Sequence, residues 1–295
     1  MSRLFIIGNG FDRWHGLPTS YNHFYQENEE HLDELNEYFS GVDGNIMPWY
    51  DFENNLGSYC WKSFYAQYNH IDVTDDRFRR SMLYGLEDEL VAESGNLVEG
   101  LRELFWEWIS SVELDDCLPK IAFSPSDRFL SFNYTSTLQT VYGIPASQIL
   151  HIHGNAENYD ELVFGHGIEI PEQPQYDEEG NSLWTPFSDG EGAAMSPLYL
   201  FKKPVSEIIL KSADYFSSLI GITEIVVIGH SLNNIDLPYF AKVNECCPGA
   251  QWYVTCYDLH DLVVFQQQLA KCGVAPERVQ ISLLCDYGHF LAFRN

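Results

Sequence analysis

Positive charge is scarce in this chain: 16 Lys and Arg stand against 43 Asp and Glu, a formal net charge of −27. Such a field repels a phosphate backbone, and no basic run interrupts it, so extended nucleic-acid binding by this chain alone is disfavoured. One small anionic ligand is still admissible, because backbone N–H groups at a helix start act locally against the global field. Long apolar runs are lacking too, and the absence of any window of 18 consecutive apolar residues argues against a transmembrane helix. The apolar run after Met1-Ser2-Arg3 is too short for a signal peptide and reads as a first strand. No Cys-x-x-Cys pair occurs among the seven cysteines (60, 117, 246, 247, 256, 272 and 285). Their odd number and spacing argue against a disulfide framework or a zinc ribbon. Cys256 and Cys285 lie in apolar stretches, where a thiol behaves as a small hydrophobe. A reducing, cytoplasmic compartment is expected.

What the chain does have is core material: 45% of its 295 residues are hydrophobic and 15% aromatic. Apolar runs bounded by turn residues predict strands at about 3–8, 128–132, 149–152, 162–165, 224–229, 251–257 and 279–284. Helical spacing runs from Met82 to Val112, with Gly95 and Gly100 as possible dividers, and recurs at about 22–39, 58–68, 204–220, 236–245 and 259–272. This alternation predicts a single α/β, Rossmann-like domain over 1–295, its mainly parallel sheet covered by helices on both faces. The interval of about 22–125 offers helices and no convincing strand, and reads as a helical insertion after the first strand. Residues of about 171–197, rich in Pro, Gly, Asp and Glu, read as a long surface loop or lid.

Four polar or Gly-containing turns follow four of the apolar runs. Ile6-Ile7-Gly8-Asn9-Gly10-Phe11-Asp12, continuing into His15-Gly16-Leu17-Pro18-Thr19-Ser20-Tyr21, lets the backbone turn tightly and approach a ligand. The third glycine of the dinucleotide fingerprint is replaced by Arg13, which weakens a dehydrogenase reading; the same turn standing alone also fits a plain strand-to-helix connection. Arg128-Phe129-Leu130-Ser131-Phe132-Asn133-Tyr134-Thr135 ends an apolar strand at Asn133, whose amide suits ribose hydroxyls, an attacking water or a helix cap. In Ile149-Leu150-His151-Ile152-His153-Gly154 the two histidines share a strand face, and His153 at the strand end suits a general base or a metal ligand. His166 in Phe164-Gly165-His166-Gly167 is a further candidate. In the fourth, Glu224 to Asp236, Gly229-His230-Ser231 lacks the second glycine of a nucleophile elbow and better fits a phosphate or ribose loop. Asp236 reads there as a helix cap.

Taken together, residues 6–21, Ser131-Phe132-Asn133-Tyr134-Thr135 with Thr137-Leu138, His151-Ile152-His153-Gly154, and Gly229-His230-Ser231-Leu232 with Asp236 resemble the AbiH family of bacterial phage-abortive-infection proteins. That family in turn is distantly similar to sirtuin-like proteins. The resemblance implies a Rossmann-like NAD site and hydrolysis of NAD(+) at the nicotinamide–ribosyl bond, with no tightly bound cofactor and no metal. Asn133 and His153 would be catalytic. Gly8, Asn9, Gly10, Phe11, Asp12, Thr19, Gly229, His230, Ser231 and Asp258 would contact the nucleotide. Two departures from the sirtuin pattern stand out: no four-cysteine zinc ribbon, and Thr135 in place of the Asp that usually follows the Asn.

The first argues against protein deacylation and for the NAD-hydrolysing branch. Control by a homo-oligomer or a regulatory partner is expected, since an unregulated NADase would poison its host. Glu53 is a further carboxylate, expected at the surface or lining the crevice. Two alternatives remain open: a non-catalytic nucleotide sensor signalling through a partner, and a metal-dependent hydrolase or nuclease using His151, His153, His166, His230 and Asp236.

Overall fold

The computed structural model describes residues 2–40, 49–258 and 260–284. Cys285, and Leu259 at the expected start of the last helix, lie outside the described residues. Six strands form one sheet: β1 (Arg3–Ile7), β2 (Arg128–Ser131), β3 (Ile149–His151), β4 (Glu224–Ile228), β5 (Gln251–Cys256) and β6 (Val279–Leu283). Their spatial order is β3-β2-β1-β4-β5-β6, and every pairing is parallel. This is the doubly wound order, whose switch point lies between β1 and β4. The central strands β1 and β4 read as near-continuous apolar runs because both their faces are covered.

In chain order the helices are α1 (Asn9–Trp14), α2 (Tyr21–Glu27), α3 (Glu29–Glu34), α4 (Phe52–Leu56), α5 (Trp61–Tyr68), α6 (Ser81–Ser110) and α7 (Thr137–Tyr142). There follow α8 (Ser188–Leu200), α9 (Val205–Lys211), α10 (Ala213–Ser217), α11 (Leu237–Cys246) and α12 (Asp261–Lys271). Alternate strand residues serve the two sheet faces. Leu4, Ile6, Leu130, Ile225, Val227, Trp252 and Val254 pack with Ile208, Phe216, Phe240 and Phe265 of α9 to α12. Phe5, Ile7, Phe129, Val226 and Ile228 pack with Phe11 of α1 and Leu138 of α7. The expected strand at 162–165 does not form. Val163 N–H reaches the His153 carbonyl, but no ladder continues from it.

The chain divides into two compact units. The first comprises 1–20, 106–163 and 204–295, and the second 21–105 and 164–203. The second unit therefore draws on most of the expected insertion and on the segment expected to be a loop. Its core is aromatic: Phe52 stacks on Phe105 at 5.6 Å, and Phe24, Trp49 and Phe164 surround that pair. Gly95 and Gly100 do not divide α6, which runs unbroken.

Within the expected 171–197 loop, Ser188–Leu200 is helical despite Gly190, Gly192 and Pro197. Gly190 packs against Leu90 and Tyr65. Pro197 has no N–H to give the Ala193 carbonyl four residues back. The buried Ser94 hydroxyl donates to that carbonyl instead, at 2.9 Å. No helix among the described residues is long and apolar enough to cross a membrane, and the six described cysteines are free thiols.

Candidate functional site

In a parallel sheet all strands end along one edge, and the turns of interest follow those ends. Register aligns Ile7 with Ser131 and with Ile228, so Gly8, Phe132 and Gly229 emerge at one level. The glycines there are needed for backbone packing against each other. A Cβ on Gly10 would lie 2.7 Å from the Gly229 Cα, and one on Gly8 would lie 2.6 Å from the His230 Cα. The Gly10 N–H donates to the Gly229 carbonyl at 2.7 Å and the Phe11 N–H to that of Gly8 at 2.9 Å. The Tyr257 hydroxyl donates to the Gly10 carbonyl. The Gly8 N–H likewise donates to the Ile228 carbonyl at 3.0 Å, so the N–H groups of Gly8 and Gly10 serve the fold. Phe11 itself is core. Asn9 clamps Thr19 from both ends of its amide, its Nδ2 to the Thr19 carbonyl and its Oδ1 accepting from Oγ1, each at 2.6 Å.

Asp12 is 1% exposed and Asn133 5% exposed. Thr135 Oγ1 donates to Asp12 Oδ2 at 2.6 Å and lies 3.0 Å from Thr137 Oγ1. Thr135 thus holds the hydroxyl that meets a carboxylate from the β1 turn. Burial pushes Asp12 up to about 6, against the Thr135 and Thr137 hydroxyls and the neighbouring Asn133 amide, which favour ionisation. Asp12 Oδ1 and both polar atoms of the Asn133 amide have no hydrogen-bond partner among the described protein atoms.

The histidines take distinct parts. His151 Nδ1 faces the Asn133 carbonyl at 3.0 Å and so carries the proton; its Nε2 accepts from the amides of Gln139 and Asn155. It fixes the backbone of Asn133, and burial holds its pKa below the ordinary histidine value. His153 Nε2 lies 3.7 Å from Asp236 Oδ1, and His230 Nε2 lies 3.6 Å from Asp236 Oδ2. The Leu232 N–H donates to His230 Nδ1 at 2.9 Å, which places the His230 proton on Nε2, toward Asp236. The Phe132 ring lies edge-on to both imidazoles. Asp236, read as a cap, makes no side-chain cap to α11 and serves these histidines.

Other expected members fall outside this cluster. Ser231 and Asp258 are exposed, and Asp258 Oδ1 accepts from the His260 N–H. His166 belongs to the second unit, its Nε2–H on the Leu198 carbonyl at 2.8 Å. Glu53 is neither exposed nor in a crevice: it is buried in the second unit, 2.7 Å from Lys203 Nζ. Among the described residues no group of three or more His, Cys, Asp or Glu is placed to hold a metal ion.

A cavity of about 260 Å³ adjoins the Asp12 cluster through Thr135. Its wall comes from the end of α6 and the residues after it (Trp106, Ile109, Ser110, Val112), from Tyr134 and Thr135, and from Ala156, Glu157 and Tyr159. Sequence reasoning missed this wall and the roles of Thr135 and Thr137. The run of hydroxyl residues after an apolar strand was the available signal for the two threonines.

No curated protein and no solved structure matches the chain. A family model described as "Bacteriophage abortive infection AbiH" matches residues 4–256, which include the turns after β1, β2, β3 and β4, and the chain belongs to that family.

Proposed function

We propose that this AbiH protein acts in abortive infection by hydrolysing NAD(+) at the nicotinamide–ribosyl bond, at the β1–β2–β4 edge of the sheet. The observation that carries the reading is the pair Asp12 and Asn133. Both are buried at the strand ends of a doubly wound sheet, where such folds bind nucleotides, with polar atoms left for a ligand.

In this reading water attacks the ribosyl carbon, and the C–N bond breaks with its electron pair passing to the pyridinium nitrogen, which leaves as neutral nicotinamide. The leaving group needs no proton. The water proton passes to His153, whose imidazolium Asp236 stabilises. The Asp12 carboxylate offsets positive charge developing on the ribosyl ring, and Asn133 orients a ribose hydroxyl or the water. His151 is a positioning residue for Asn133. Grip on the ligand comes from side chains more than from Gly10, whose N–H the fold already uses.

The test is nicotinamide release from NAD(+) by the full chain in the presence of EDTA. Turnover that drops at least a hundredfold in Asn133→Ala and in His153→Ala supports the reading. Saturable binding without turnover would make the protein a sensor, and loss of turnover in EDTA would make it a metalloenzyme.

A further inference from the structure

We infer that the cavity at the end of α6 is a subsite for a cationic, N-substituted pyridinium ring. The inference rests on the dinucleotide reading above and adds to it a preference for the oxidised, charged form of the ligand.

The argument starts from the wall. Its aromatic members are Trp106, Tyr134 and Tyr159, its one charged member is the Glu157 carboxylate, and no basic residue occurs among its described members. Such a lining repels phosphate and attracts a cation held against ring faces. The cavity also sits at the C-terminal end of the 30-residue helix α6, with Ile109 and Ser110 in its wall. Carbonyls left without helical partners gather there, and that end of the helix dipole favours positive charge. About 260 Å³ holds one substituted ring and is too small for a whole dinucleotide.

Tyr159 is built for such a role. It is 82% exposed, yet its ring lies near-parallel to that of Trp106, with centroids 6.1 Å apart and planes at 27°. Its backbone is left-handed at φ 56°, which a tyrosine rarely adopts. The surrounding turn enforces it. The wholly buried Asn155 accepts from the Glu157 N–H at 2.9 Å and bonds Ser136, and Asp160 Oδ2 accepts from the Asn155 N–H at 3.0 Å. A strained, exposed aromatic held by a buried scaffold serves something outside the fold.

The test titrates the full chain with 1-methylnicotinamide, a permanent pyridinium cation, and with uncharged nicotinamide, each followed by calorimetry. The cation is expected to bind at least fivefold more tightly than nicotinamide. Tyr159→Ala and Trp106→Ala should each erase most of that preference, with circular dichroism and urea midpoint reporting that the fold is intact. In parallel, a carbocyclic NAD(+) analogue that resists hydrolysis should bind the wild type more tightly than NADH. Equal affinity for the two probes, no binding of the cation, or a preference that survives both substitutions overturns the inference. Binding of the cation without NAD(+) hydrolysis leaves this subsite standing and removes the hydrolytic reading. Hydrolysis that is indifferent to Tyr159→Ala, with no cation binding, does the reverse.

Discussion

Two buried carboxylates, Asp12 in the first compact unit and Glu53 in the second, are answered in opposite ways. In the second, Glu53 meets the Lys203 ammonium at 2.7 Å, and both side chains are sealed from solvent. In the first, Asp12 Oδ2 accepts from the neutral Thr135 hydroxyl, and Oδ1 has no hydrogen-bond partner among the described protein atoms. A buried charge with an opposite charge beside it is complete, and it makes one packing arrangement more favourable than others. A buried charge answered only in part raises the free energy of the fold and is kept for what it does to a ligand. In the proposed reading the difference separates a structural buried acid from a functional one, although both are carboxylates at the start of a short helix.

The largest expected effect lies in the closed pair. Lys203→Met leaves Glu53 buried without its counter-charge and should cost about 3–5 kcal/mol of unfolding free energy. The double variant Glu53→Leu/Lys203→Met should recover most of that loss. Urea denaturation measures both, and a single variant as stable as wild type would break the contrast.

Asp12→Asn should act with the opposite sign. A folded-state pKa of about 6 against the ordinary 3.8 corresponds to about 3 kcal/mol that ionised Asp12 takes from the fold. The variant is therefore expected to be up to about 3 kcal/mol more stable at pH 7.5, while its NAD(+) turnover falls at least tenfold. Destabilisation by Asp12→Asn would place Asp12 with Glu53 as a structural group.

The pH dependence sharpens the same point. Because the Asp12 pKa is raised on folding, its cost is nil below the unfolded value, grows as pH rises from about 4, and is complete above about 6. The stability gap between wild type and Asp12→Asn should open over that window, and NAD(+) turnover should decline below pH 6 as the carboxylate takes up its proton. A gap that stays constant with pH would contradict the assignment.

Smallest is the effect at Tyr159. Tyr159→Gly removes the left-handed strain and should stabilise the chain by about 1 kcal/mol in thermal denaturation, while weakening pyridinium binding.

Much of the sheet was legible from residue order alone, because parallel strands buried on both faces leave continuous apolar runs such as Ile225–Ile228 and Trp252–Val254. The polar turns after those runs were legible for the same reason. Contacts between distant segments were not. Asp12 and Thr135 are 123 residues apart, and Thr135 read as a loss because its carboxylate partner came from another turn. Gly8 and Gly10 read in sequence as a phosphate cradle, and their close packing on the Gly229 backbone was not legible there. Helix α8 was hidden by Gly190 and Pro197, whose local preferences yield to packing and to the Ser94 hydroxyl. Glu53 was unplaced because its partner, Lys203, comes from the far end of the second unit's other segment.

The central claim is that Asp12 and Asn133 are left open for a nucleotide. The most direct measurement is the melting temperature of wild type and Asn133→Ala, with and without a saturating carbocyclic NAD(+) analogue whose ring-to-nicotinamide bond resists hydrolysis. The account predicts a clear upward shift for wild type and little or none for Asn133→Ala, whose ligand-free melting temperature stays within a few degrees of wild type. An undiminished shift in Asn133→Ala, or no shift in wild type, would contradict it.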